Sequence, residues 1–330
     1  MYLTNKKYWP VLFSVDIVGS IIFFPNKFRK KPMQSKIRKV LFIRLEHIGD
    51  MIMSTPVFEN FKKSNPKCEV HVLCKTITKP IIKNNPYVDK IITFDPNWMI
   101  KRNEDKKKGT SELVSELKEE RYDIIFEMHG DPRNNRLANM IAASETYTVG
   151  YGCRGAGFFL NEVKKYNPKI RNIDQNLELI KDYAKITTRN MKIFTDKKAK
   201  DDALKIMKKF GLKKNAFIII NPKSGRSEKD LTVKEVNNFI KRHKAQKILL
   251  TGSKAEREYN ESLKKNAEDD IAGSRIINIS GQTDLLTLAK LVKNAKLVIA
   301  PDTGIIHMAK AVGTKFEAVY KTTDKNVWGY

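Results

Sequence analysis

The apolar run Leu297-Val298-Ile299-Ala300 breaks at Pro301-Asp302-Thr303-Gly304 and resumes as Ile305-Ile306-His307-Met308-Ala309 with helical spacing, so it reads as strand, tight turn and helix. A junction of this kind aims backbone N–H groups and the positive end of a helix dipole at one point, and Gly304 lets a ligand approach the backbone closely. That chemistry suits a phosphate. His307, three residues after Gly304, would project near the first helical turn and could donate to a phosphate oxygen. A histidine on an apolar helix equally suits a packed core, and Asp302 equally suits a helix cap.

Three other strand-to-loop junctions carry comparable groups. In Arg44-Leu45-Glu46-His47-Ile48-Gly49-Asp50, Gly49 permits a sharp turn before a helix that contains Pro56. Asp50 could accept a proton from a hydroxyl group, with Glu46 and His47 as rival bases, or it could cap the helix. In Ile220-Asn221-Pro222-Lys223-Ser224-Gly225-Arg226-Ser227-Glu228-Lys229, the cations Lys223, Arg226 and Lys229 could neutralise phosphate while the Ser224 hydroxyl and the Gly225 N–H donate. A charged loop also sits comfortably in water without a ligand. The loop has no Gly-Lys-Ser/Thr ending, which argues against ATP hydrolysis. After Thr251-Gly252-Ser253, Glu256 could hold ribose hydroxyls as acidic residues do in dinucleotide sites, or simply start a helix in solvent.

The elements that must position these groups alternate regularly. Val40 to Leu45, Val70 to Leu73, Ile91 to Phe94 and Ile124 to Phe126 are strand candidates separated by helical patterns such as Pro56 to Lys63 and Ser111 to Glu120. The order βαβα implies a parallel sheet covered by helices. From Phe217 the pattern restarts, with strands at Phe217 to Ile220, Ile248 to Leu250, Ile276 to Ile279, Leu297 to Ile299 and Phe316 to Tyr320. The expected architecture is α/β, with two doubly wound Rossmann-like domains facing across a cleft, since ligands of such sheets bind at the carboxyl ends of the strands. The expected divisions are 1–35, a membrane-proximal segment; 36–188, the first domain; and 189–330, the second. The Lys-rich stretch from Ile186 to Asn215 holds the boundary and one helix.

A chain of 330 residues can bury two cores, and its formal charge of +26 invites a polyanionic partner. Part of the excess is Lys scattered beside Asn and Ile, and no RNA-binding aromatic motif or zinc-finger spacing stands out, so nucleic acid is not the expected partner. Cys68, Cys74 and Cys153 are odd in number and lack metal-ligand spacing, which points to reduced thiols in a cytoplasmic protein. Tyr8 to Phe24 is largely apolar and is followed by Lys27, Phe28, Arg29, Lys30 and Lys31. Pro10, Asp16 and its shortness speak against a spanning helix and for an interfacial helix or hairpin on anionic headgroups. A helix packed on its own domain is the alternative, and a single-pass anchor comes third.

Together these motifs resemble glycosyltransferase family nine, the lipopolysaccharide heptosyltransferase family, over most of the chain. The Gly-Asp turn before a helix with an early Pro is similar to Ile43 to Pro56, the donor loop Pro-x-Ser-Gly with its Lys to Pro222 to Lys229, and the D-T-G-x-x-H element to Asp302 to His307, followed by Gly313-Thr314. Lys223, Leu231 and Lys321 stand where the family more often has Gly, an aromatic residue and Gly.

The resemblance implies a GT-B fold with the acceptor on the first domain and an ADP-heptose-like donor on the second. It implies inverting transfer to a phosphorylated lipopolysaccharide core acceptor at the cytoplasmic face of a bacterial inner membrane, with the protein peripheral on that anionic surface. Asp50 would be the general base. Ser224, Gly225, Lys229, Glu256, Asp302, Thr303, Gly304 and His307 would bind the donor, with no cofactor and no essential divalent metal. Alternatives are a transferase using another nucleotide sugar or a protein acceptor, and a non-catalytic nucleotide-sugar-binding or membrane scaffold protein. Relatives continue into a terminal helix where this chain stops at Trp328-Gly329-Tyr330, so a short natural end or a missing segment is expected.

Overall fold

Short apolar runs become strands because both their faces are covered. In the first half these are β1 (Lys39–Arg44), β2 (Glu69–Cys74), β3 (Lys90–Thr93), β4 (Ile124–Glu127), β5 (Tyr147–Tyr151) and β6 (Glu162–Lys164). The second half has β7 (Phe217–Ile220), β8 (Lys247–Leu250), β9 (Ile276–Asn278), β10 (Leu297–Pro301) and β11 (Phe316–Val319). The structure is a computed structural model and describes residues 3, 5–96, 98, 109–267 and 275–329. The chain divides into two compact units, one of Met1–His47 and Ser54–Arg189, the other of Ile48–Met53 and Asn190–Tyr330.

Among the described residues, the first unit holds a six-stranded sheet in the order β3-β2-β1-β4-β5-β6. Every pair in it is parallel. Val40, Leu41, Phe42 and Ile43 of the central strand are fully buried, as a sheet with two covered faces requires. Alternation sorts them: Leu41 and Ile43 join Ile125, Leu137 and Ile141 on one side. Phe42 stacks on Phe126 at 4.9 Å and meets Phe58 and Phe61, both at 5.4 Å, on the other. Those two rings come from the helix Ile48–Ser64, which keeps Pro56 inside it. Buried Asn60 fixes that helix by accepting from the Thr187 and Thr188 N–H groups at 2.7 and 3.1 Å and donating to Thr188 O at 2.8 Å.

The second unit repeats the plan with five strands among the described residues, ordered β11-β10-β7-β8-β9. These pairs are also parallel. Ile218, Ile220, Ile248 and Leu250 pack with Val236, Ile240 and Leu263. In both sheets the strand order reverses at one internal pair, β1 with β4 and β7 with β10, which is where open α/β sheets leave a crevice at the strand ends.

Strands β5 and β6 lie beyond the sequence reading. Tyr147-Thr148-Val149-Gly150-Tyr151 is broken by Gly150, and Glu162-Val163-Lys164 is a three-residue edge strand with Val163 exposed. The three cysteines are free thiols, all buried in the first unit. Burial pushes Cys68 and Cys74 up to about 12 and Cys153 up to about 11.

The N-terminal segment forms the helix Trp9–Ile22 and a 3-10 turn, Phe24–Phe28. It is tied to the first unit: Asp16 Oδ1 accepts from Ala156 N at 2.8 Å, Lys27 Nζ donates to Leu160 O at 2.6 Å, and Phe23 stacks on Phe158 at 5.6 Å. Among the described residues, no helix is long and apolar enough to cross a membrane.

Candidate active site

In the second unit, β10 runs into Asp302 and Thr303, and the helix Gly304–Val312 begins at once. Thr303 is the N-cap residue, yet its side chain makes no capping bond; its hydroxyl donates backward to Pro301 O at 3.2 Å. The capping position open to Asp302 in the sequence thus falls to Thr303, whose side chain does not take up the role. Ile306 N, in the first turn, donates to Thr303 O at 3.0 Å, and a helix start of this kind suits an anion. Gly313, at φ +79°, ends the same helix in the left-handed region.

The neighbouring strand β7 ends in a loop closed by Leu231 N donating to Pro222 O at 2.9 Å. Asp230 organises it, accepting from Ser224 N at 2.7 Å and pairing with Lys223 at 3.0 Å. Lys223 also lies over the Tyr259 ring at 4.0 Å, so this cation serves the loop. Ser224 Oγ accepts from Arg226 N at 3.0 Å and donates to Arg226 O, which shapes the crest. A Cβ on Gly225 would meet nothing within 4 Å, so its backbone stays approachable. The 3-10 turn Ser227–Lys229 then carries Lys229 inward.

Lys229 Nζ lies 3.5 Å from Asp302 Oδ2, with the two side chains 14% and 5% exposed. This is an ion pair outside hydrogen-bond contact, and Asp302 Oδ1 has no hydrogen-bond partner among the described residues. An ammonium with three donors therefore stands beside an uncapped helix start. His307 completes the group: it is buried, with Nε2 3.9 Å from Asp302 Oδ1. Burial holds His307 below its ordinary value and Lys229 acts in the same direction, while Asp302 and Asp50 pull the other way. At neutral pH the ring is a neutral imidazole, able to donate one hydrogen bond.

Ile48–Met53 belong to this same unit, and Asp50 lies in the first turn of the helix Ile48–Ser64. A Cβ on Gly49 would come 2.6 Å from His307 Cδ2, and one on Gly304 would come 3.2 Å from Ile48 Cγ2 and 3.5 Å from Gly49 N. Close approach requires glycine at position 49, whereas a Cβ at position 304 would crowd Ile48 by only a few tenths of an ångström. The fold thus gathers Asp50, Lys229, Asp302, Thr303, Gly304 and His307 from three sequence regions. Glu256 sits elsewhere, after β8, where its Oε2 accepts from Ser253 N at 2.6 Å in a capping box.

The first unit has its own polar cluster where β1 and β4 end. Arg44, Glu46, Glu127 and Asn134 are buried there, and Arg44 NH1 donates to Met128 O at 2.7 Å. Asn134 Nδ2 donates to Glu46 Oε1 at 3.1 Å and to Glu127 Oε1 at 3.3 Å. His129 Nδ1 stands 3.1 Å from Glu46 Oε1. Burial and the Glu46 charge push Glu127 up to about 7. For His129 burial works downward, but the hydrogen bond and charge of Glu46 outweigh it and raise the imidazole above its ordinary value. Of these groups only Glu46 was singled out from sequence. The run Glu127-Met128-His129-Gly130 at the end of a strand was the signal, with Gly130 at φ +77° making the turn. His47 is exposed at the turn beyond Glu46.

Residues 110–330 match the family glycosyltransferase family 9 (heptosyltransferase). This chain belongs to glycosyltransferase family 9. As a family 9 member it is a glycosyltransferase, and the stretch matched contains the whole loop from Pro222 to Lys229 and the turn from Asp302 to His307. A lipopolysaccharide core heptosyltransferase of Haemophilus influenzae, OpsX, is 23% identical over 292 residues, 86% of this chain and 79% of the relative. Two solved structures share the fold. A family 9 glycosyltransferase of Veillonella parvula has a TM-score of 0.74 at 20% identity, covering 91% of this chain and 85% of that one. The ADP-heptose lipopolysaccharide heptosyltransferase II of E. coli has a TM-score of 0.71 at 17% identity, covering 88% and 87%. The family 9 fold here is accordingly of the GT-B type, built on two parallel sheets with helices.

Proposed function

We propose that this family 9 enzyme transfers a heptose, or a related sugar, from an ADP-linked donor to a hydroxyl of a lipopolysaccharide core acceptor. The observation that carries the reading is the Lys229 ammonium held 3.5 Å from a buried Asp302, beside the uncapped start of the helix Gly304–Val312. A diphosphate placed there meets a cation, first-turn N–H groups and the neutral His307, all preorganised before reaction. Similarity to relatives named for ADP-heptose and for the lipopolysaccharide core supports the choice of donor and acceptor.

In this reading Asp50 takes the proton of the acceptor hydroxyl, and that oxygen attacks the anomeric carbon on the face opposite the nucleotide. The bond to the diphosphate breaks with inversion, and the electron pair leaves on the nucleoside diphosphate. Lys229, the Gly304 and Ile305 N–H groups and His307 stabilise the charge as it develops. No divalent metal is required by this scheme. Ser224 and Gly225 border the diphosphate, and Glu256 reaches the ribose with the oxygen not used in its capping box. The acceptor is assigned to the first unit, with Glu46 and His129 at the strand ends as partners for its hydroxyls. A lipid-linked acceptor would bring the enzyme to the cytoplasmic face of the inner membrane as a peripheral protein.

Calorimetric titration with ADP-heptose, ADP, and UDP and GDP sugars tests the donor assignment, and transfer by the Asp50→Ala variant tests the base. Selective ADP-sugar binding, with turnover abolished in Asp50→Ala at nearly unchanged donor affinity, is expected. Tight binding of another nucleotide would reassign the donor. Unimpaired transfer by Asp50→Ala would remove Asp50 from the mechanism.

A further inference from the structure

The helix Trp9–Ile22 uses only one stripe to hold the first unit. Trp9, Leu12, Asp16, Gly19 and Phe23 recur at intervals of three and four and so share a face. Phe158 fills the space where a Cβ on Gly19 would stand, and Leu12 Cδ2 lies 3.3 Å from the position of a Cβ on Gly155. The outward positions apart from Ser14 and Ser20 are apolar as well: Val11, Phe13, Val15, Ile17 and Ile21 are 47–72% exposed. A helix at an ordinary protein–water surface has a polar outer face, whereas one that is apolar all round is buried or in lipid. Phe24 and Phe28 extend the patch, meeting edge to face at 5.2 Å while both remain exposed. Even Ser14 makes no demand on water, since its hydroxyl donates to Pro10 O at 3.0 Å.

We propose that the helix Trp9–Ile22 and the turn Phe24–Phe28 form a docking face that lies in the plane of an anionic lipid surface. Fourteen residues span about 21 Å, too short for a hydrocarbon core of about 30 Å, so the helix lies in the interface and does not cross it. Exposed cations flank the apolar patch, Lys6 and Lys7 before the helix and Lys30 after the turn. That is the arrangement by which interfacial helices seat apolar side chains among acyl chains and cations among headgroups. A second copy of the chain is a poorer occupant. The exposed cations at both ends of the patch would meet like cations of that copy in either orientation, whereas anionic headgroups pair with them. The anionic character of the lipid rests on the membrane-surface reading above, while the docking face rests on the helix itself.

Co-sedimentation of the full chain with phosphatidylcholine vesicles, with and without about one-third phosphatidylglycerol, tests this. The Phe13→Glu/Ile17→Glu and Lys6→Glu/Lys7→Glu/Lys30→Glu variants are run beside it, and ADP titration of each checks folding and the donor site separately. The expected result is partition onto the anionic vesicles, reduced at least about tenfold by either variant, with ADP affinity unchanged. A wild-type chain that stays in the supernatant, or a Phe13→Glu/Ile17→Glu variant that sediments as wild type does, overturns the proposal. So does a lipid-free dimer that the same substitutions dissociate. Loss of ADP binding by the wild type with vesicle binding intact would strike the donor reading and leave the docking face standing.

Discussion

Replacing Lys229 with Met keeps the aliphatic stem and removes the ammonium. In the native site that charge stands 3.5 Å from Asp302 Oδ2, with both side chains largely withdrawn from solvent. At an effective dielectric of about 20, two unit charges at this spacing attract by about 5 kcal/mol. Desolvation of both groups offsets part of that, and the pair is outside hydrogen-bond contact. A loss near the lower end of the range for breaking a buried pair, about 3 kcal/mol of folding stability, is therefore expected. The diphosphate should lose a charge-assisted contact of about 1.5–3 kcal/mol, which weakens ADP binding about 10- to 150-fold. Urea unfolding and calorimetric titration measure the two quantities separately. The Lys229→Met/Asp302→Asn variant divides the causes, because it removes the stranded carboxylate as well. It should regain most of the stability and none of the ADP affinity. Lys229→Met with ADP affinity within about twofold of wild type would refute the phosphate contact. So would full recovery of ADP binding in the double variant, which would trace the loss to repulsion by Asp302.

Gly49→Ala would drive a Cβ to 2.6 Å from His307 Cδ2 and 3.1 Å from its Nε2, so the buried ring must move by about 1 Å. Turnover in a transfer assay should fall about 100-fold with stability lowered by about 1–3 kcal/mol, and an unchanged rate would show that the His307 position is immaterial. Glu127, pushed up to about 7, holds its proton in the folded state over a window where the unfolded carboxyl, near 4.3, has lost it. The native state then binds more protons than the unfolded one, so this group's contribution to stability falls as pH rises from about 4.5 to about 7, by on the order of 2–3 kcal/mol. Glu127→Gln should abolish that slope in urea unfolding at a series of pH values. It should also carry a constant penalty of about 1–3 kcal/mol, because its amide must face one of the N–H groups of His129 and Gly130. Asn60→Ala leaves the Thr187 and Thr188 N–H groups without their acceptor and should cost about 2–4 kcal/mol by the same measurement; a loss below about 0.5 kcal/mol would show that water replaces the side chain.

The central strands β1, β7 and β10 were legible because each is an uninterrupted apolar run that ends in polar, turn-forming residues. The helix Lys197–Lys209 falls within the Lys-rich stretch where a helix of the second domain was expected. β5 and β6 were hidden because Gly150 interrupts one and the other has almost no apolar character. The turn after β10 could be read locally, since Asp302, Thr303, Gly304 and His307 fall within six consecutive residues. The pairing of Lys229 with Asp302 follows only once β7 and β10 are known to be neighbours. The cluster of the first unit was illegible for the same reason: Glu46 and Asn134, 88 positions apart, meet because β4 pairs beside β1. Nor does spacing reveal that Lys223 is taken up by Asp230 and the Tyr259 ring, which separates it from Lys229 in role.

The buried thiols give the molecule an internal clock. With burial pushing Cys68 and Cys74 up to about 12, the thiolate is far scarcer at neutral pH in the folded chain than in the unfolded one. An alkylating reagent therefore finds almost nothing to attack until the surrounding structure opens. All three cysteines lie in the first unit and none in the second, so the rate of alkylation times the opening of one half of the protein alone. Cys68 and Cys74, at the two ends of the β2 region, would report whether that strand opens as a whole or frays from one end. A native cysteine set that is buried throughout also leaves the exposed helix Trp9–Ile22 open to a single introduced thiol, whose label would report that surface over a low background.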